Sequence, residues 1–154
     1  MRALVACIAA LTAISLASFT SAQERDGARV LQTRHAFGQL LERVERAVEA
    51  NGLGVVATAS ASRGAAARGV KIPGNAVVMV FRNDIAVRLL AASVPAGIEA
   101  PLRLYVTENP DGTATLSYRL PSEVFAPYRH PEVARIAREL DPVIEKIAKD
   151  AARR

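Results

Sequence analysis

Asn75-Ala-Val-Val-Met-Val-Phe81 is apolar at every position after its first residue, and valine dominates it. Such a run predicts a central strand covered on both faces. Arg82-Asn83-Asp84 follows and opens an apolar helix, with Asn83 or Asp84 placed to cap it through a side-chain oxygen. Ile85, Leu89 and Ala92 form the expected inner face of that helix, and Pro95 and Gly97 end it. Beyond Pro101 two alternating segments read as a hairpin over 102–120. Leu102, Leu104 and Val106 face one way and Arg103, Tyr105 and Thr107 the other, with Ala114, Leu116 and Tyr118 sharing a face in the second strand. Asn109-Pro-Asp-Gly112 supplies the turn, because proline presets one dihedral and glycine takes the positive one.

Upstream, Phe37, Leu40, Leu41, Val44, Ala47 and Val48 recur at the spacing of one helical face and predict a helix over 36–50. Asn51-Gly52 stops it. A first strand is expected over 29–34 and another over 53–60, the latter with Val55, Ala57 and Ala59 on one side and Val56, Thr58 and Ser60 on the other. Residues 63–70 suggest a short helix, and Ile72-Pro73-Gly74 a turn. After His130-Pro131 a single helical phase runs from Val133 to Ile147 straight through Asp141-Pro142. A proline there predicts a kink, or a restart with Asp141 as cap. These elements define an α+β fold: a mainly antiparallel sheet of four or five strands, with the helix of 36–50 and a long C-terminal helix covering one face.

The first 22 residues read separately. Met1-Arg2 is a short positive start, Ala3 to Leu16 is an apolar run, and Thr20-Ser-Ala22 suits a signal peptidase, so cleavage after Ala22 and export are expected. The apolar run falls short of the roughly 20 residues that span a bilayer, which disfavours a stable membrane anchor. Residues 23–28 form a flexible lead-in on this reading, and 29–154 a single domain. Cys7 leaves with the leader, so the remaining chain has no thiol and no disulfide. Without Arg2 the chain holds 19 basic against 15 acidic residues, a surplus spread along its length. That pattern speaks first to solubility and second to a protein held at an acidic envelope surface.

The chemistry-bearing residues are few. His35 and His130 each flank a helix start, where capping or packing is the simpler role, and neither sits at metal-ligand spacing, so no metal and no cofactor is implied. No serine lies in a glycine-framed elbow, and Gly52-Leu-Gly54 follows a helix instead of opening one, opposite to a phosphate cradle. Arg63, Arg68 and Lys71 read as a solvated face. Nucleic acid is disfavoured because aromatics are scarce among the basic residues.

The order of elements, together with His35-Ala-Phe37, Gly52-Leu-Gly-Val55, Val80-Phe-Arg-Asn83, Ala96-Gly-Ile-Glu-Ala-Pro101 and Leu116-Ser-Tyr118, resembles the bacterial domain-of-unknown-function family 302 over about 33–147. The resemblance implies a compact α+β domain, often dimeric, with no assigned biochemical role. Members usually carry a glycine-asparagine-proline turn after the apolar strand; Arg82-Asn83-Asp84 keeps only the asparagine.

Two functional expectations follow. In the first, the chain is an exported, non-catalytic binding or interaction domain. Arg103 and Tyr105 then form a homodimer contact, or a groove for a small-molecule or protein ligand, on a sheet face that no helix claims. In the second it is an enzyme of unknown reaction, with His35, Asn83 and Tyr118 converging near strand ends.

Overall fold

The computed structural model describes residues 23–25 and 27–153. The expected leader, 1–22, lies outside the described residues. Six strands form one antiparallel sheet, β1 (Gln23–Arg25), β2 (Ala28–Ala36), β3 (Gly54–Ala59), β4 (Asn75–Phe81), β5 (Leu102–Glu108) and β6 (Thr113–Tyr118), in the order β1-β2-β6-β5-β4-β3. The helices are α1 (Phe37–Ala50), α2 (Ala61–Ala66), α3 (Asn83–Ala92), α4 (Pro121–Val124) and α5 (Pro131–Ala152), with 3-10 helices at Val94–Glu99 and Ala126–Tyr128. The α+β architecture is therefore as the periodicities predict.

The helices α1 and α5 pack on the same face of the sheet, and the core lies between them and the strands. Leu40, Val44 and Val48 of α1 and Ile144, Ile147 and Ala148 of α5 meet Val78, Val80, Leu104, Val106 and Leu116, all at most 1% exposed. Burying a side chain of this size contributes about 1.5–3 kcal/mol, so this one layer supplies most of the stabilisation. Gly52, at φ +76°, closes α1 in the left-handed region, and Leu53 N donates back to Val48 O at 3.1 Å. The hairpin has the expected register and turn, with Gly112 at φ +81° and Asn109 N donating to Thr113 O at 2.8 Å.

Five local expectations are corrected. The apolar strand β4 is interior, paired with β5 and β3, but it is not covered twice: Ala76, Val78 and Val80 are buried while Val77, Met79 and Phe81 are half-buried on the open face. A flexible lead-in is replaced over Gln23–Arg25 by β1, which pairs with Ala28–Val30. In β3 a bulge falls between Val55 and Ala57, so Val55 and Thr58 share the covered face while Ala57 and Ala59 turn to the open one. Thr58 Oγ1 accordingly donates to Glu45 Oε1 of α1 at 3.1 Å. Neither Asn83 nor Asp84 caps α3; Arg82 occupies the cap position, and its guanidinium holds the Asp84 carboxylate at 2.8 Å and 3.1 Å. Finally, α5 runs unbroken through Pro142, and Asp141 Oδ1 accepts from the Ser122 backbone amide, capping α4 instead of its own helix.

Candidate functional site: the open face of the sheet

With the helices on one side, the other side of the sheet is bare. Alternation decides which residues reach it: Val30 and Gln32 from β2, Thr115 and Ser117 from β6, Arg103, Tyr105 and Thr107 from β5, and Val77 and Met79 from β4. Tyr105 stands near the middle, directly opposite Val77 on one neighbour and Ser117 on the other, and is 42% exposed.

Three troughs lie along this face, two of them lined by Tyr105. One of about 510 Å³ is walled by Arg103, Tyr105 and Ser117 and closed by Glu99 of the first 3-10 helix and Glu123 of α4. A second, of about 590 Å³, runs from Tyr105 and Val77 to Asn75 and Ser60. The third, about 310 Å³, is a polar strip of Gln32, Thr107, Asn109, Thr115 and Ser117.

The first trough is charged on both sides. Glu99 accepts from Tyr128 Oη at 3.0 Å, and Arg103 Nη2 lies 3.7 Å from its other oxygen. Burial, reinforced by the Glu99 carboxylate, pushes the Tyr128 hydroxyl above its ordinary pKa. Arg29 Nη2 reaches Glu123 Oε1 at 3.0 Å, whereas Glu123 Oε2 is buried with no hydrogen-bond partner. These two carboxylates were not legible as a pair. They are 24 residues apart in sequence, and Glu123 reads alone as a first-turn helix acid, which it also is.

The polar residues singled out from sequence do not converge. His35, at the end of β2, hydrogen-bonds Gln39 Oε1 at 3.2 Å and Arg153 O at 2.8 Å, so it ties α1 to the end of α5. Tyr118 points into the covered face, 6% exposed, and pairs across strands with Arg29. Six residues of β2 separate that pair from His35, about 20 Å at strand rise. Asn83 is exposed at the start of α3, five residues beyond Val78 and two strands from Tyr118, also close to 20 Å. Arg103 and Tyr105, in contrast, do share the open face. Among the described residues no cluster of His, Cys, Asp and Glu could hold a metal ion, and no helix is long and apolar enough to cross a membrane.

A layer of helices on one side of a bare antiparallel sheet defines an α+β domain. Its sequence matches the profile of the domain of unknown function DUF302 over residues 29–151, and the chain belongs to that family. Among solved structures it is similar to the crystal structure of an uncharacterized conserved DUF302 protein from Bacillus stearothermophilus. The TM-score is 0.71 at 19% sequence identity, covering 84% of this chain and all of the other, a likeness of fold. No curated protein matches the chain.

Proposed function

We propose that this chain is an exported interaction domain that acts by binding and not by catalysis, and that its open sheet face takes a second copy of itself. The observation that carries this reading is the one-sided cover: α1 and α5 leave the opposite face bare, with Tyr105 protruding at its centre. The five longer strands, β2 to β6, about 4.8 Å apart and six to nine residues long, give a face of roughly 500 Å² in projection, the footprint of a contact burying about 800 Å² of accessible surface per partner. Tyr and Arg are residue types enriched where such contacts concentrate their energy, and a two-fold pairing sets each copy's Tyr105 against the other's trough. Export rests on the sequence of residues 1–22.

Sedimentation equilibrium of the chain from Gln23 on tests the dimer. Twice the chain mass is expected, falling to the single mass in the Arg103→Asp, Tyr105→Ala double variant. A single mass at high micromolar concentration overturns the dimer and leaves the trough beside Tyr105 as a ligand groove. N-terminal sequencing of exported material tests the leader, with Gln23 the expected first residue and Met1 the result that refutes it.

A further inference from the structure

The trough of about 510 Å³ beside Tyr105 carries charge of both signs in equal number. Extending the pairing of Leu104 with Tyr118 by one residue brings Arg119 beside Arg103, and both line the trough. Like charges set across neighbouring strands repel, which favours an anionic group between the two guanidiniums. Glu99 and Glu123 line it as well, from the first 3-10 helix and from α4. The only ion pair between these walls, Arg103 with Glu99, is long at 3.7 Å and exposed on the arginine side, so it contributes little and opens at little cost. Two guanidiniums against two carboxylates cancel. A ligand of one sign therefore loses at one wall what it gains at the other, whereas a ligand carrying both signs gains at both.

Glu123 supplies the sharper observation. Its Oε1 accepts from Arg29 at 3.0 Å, but Oε2 is buried with no hydrogen-bond partner, which is costly for a carboxylate oxygen. The side chain as a whole keeps 35% exposure, and the last torsion of a glutamate is soft, so a turn of the carboxylate brings the unmet oxygen to the trough. A primary ammonium, with three donors and no acceptor, answers it. Leu102, Tyr105, Val124 and Pro127 give the rest of the lining an apolar surface. The volume lies within the roughly 300–1,000 Å³ of small-molecule sites, which such a mixture of apolar wall and few charged groups also typifies.

We propose that this trough binds a small zwitterion, an amino acid or a short peptide, with its ammonium at Glu123, its carboxylate between Arg103 and Arg119, and its apolar body against Tyr105. The inference rests on the open face acting by binding. Because the zwitterion and a second copy both use Arg103 and Tyr105, each excludes the other.

Isothermal titration of the chain from Gln23 on, at low micromolar concentration, with L-phenylalanine and with L-alanyl-L-phenylalanine tests it, and the tighter of the two identifies the source. Binding is expected to weaken at least tenfold when the probe's carboxylate is amidated or its amine acetylated. Glu123→Gln and Arg103→Gln, each shown to be folded by thermal melting, should also weaken it at least tenfold, while Arg138→Gln, at an exposed position of α5, should leave it unchanged. Saturating probe should lower the sedimenting mass from double to single. The proposal is overturned by no binding of either probe at millimolar concentration, by equal binding of the amidated and acetylated forms, or by binding that neither Glu123→Gln nor Arg103→Gln alters. A double mass that persists at saturation overturns the exclusion of the second copy. A single mass with and without probe, binding being retained, supports the site and overturns only the dimer, so the two readings fail separately.

Discussion

The Ser122 backbone amide donates to Asp141 Oδ1 at 2.9 Å, so a residue in the middle of α5 caps the first turn of α4. Replacing Asp141 by alanine leaves that amide without its acceptor and should cost about 1–2 kcal/mol, a fall of several degrees in Tm. Thermal melts of Asp141→Ala and Asp141→Asn check it, the asparagine retaining an oxygen and most of the stability.

Hairpin register gives a second test. Leu104 is 1% exposed within the core, whereas the neighbouring Arg103 is on the open face with its side chain 63% exposed. Leu104→Asp should therefore unfold the domain by burying an unpaired carboxylate, and Arg103→Asp should leave each chain folded. Circular-dichroism melts that rank the two variants in the other order would mean the strand is turned over.

Two glycines should respond in opposite directions to alanine. At Gly74 an added Cβ would sit 2.7 Å from the Phe37 ring, so Gly74→Ala should destabilise by about 1–3 kcal/mol as the ring is displaced. At Gly38, inside the first turn of α1, nothing lies within 4 Å, and Gly38→Ala should stabilise by about 0.5–1 kcal/mol. Urea denaturation midpoints measured side by side separate the two.

Tyr118 should govern part of the alkaline limb of stability. Burial, and then the nearby Glu145 carboxylate, raise its hydroxyl pKa above the usual 10. The folded state therefore favours the neutral phenol. The resulting stability is complete below the unfolded pKa and is lost as pH rises toward the folded value. Tyr118→Phe should flatten the decline above pH 10, measured as unfolding free energy against pH relative to Tyr105→Phe.

The elements themselves were legible because period 3.6 in 37–48 and 133–147 and period 2 in 102–118 are direct images of burial on one side. What was not legible depended on partners far away in sequence. A run such as Ala76 to Phe81 looks doubly buried, yet its outward Val77, Met79 and Phe81 are only half-covered by neighbours on the same face. The bulge at Val56 shifts phase by one residue and leaves no mark in composition. Asp141 looked like its own helix's cap because the Ser122 amide is 19 positions away. His35, Asn83 and Tyr118 were grouped for polarity and for lying at element boundaries or within the family resemblance, but boundaries at opposite ends of a sheet do not meet.

The bulge in β3 also bears on how copies of this chain can associate. An outermost strand offers a row of unpaired backbone amides and carbonyls, and strand-to-strand addition would extend the sheet indefinitely. At Val56 the hydrogen-bonding row loses its regular spacing, and at the far margin β1 is only three residues long. Both margins are thus poor templates for fibrous growth. Two-fold contact through a broad face closes after two copies, whereas head-to-tail contact of one copy's β3 margin with another's β1 margin does not, and the irregular margins disfavour that open-ended growth.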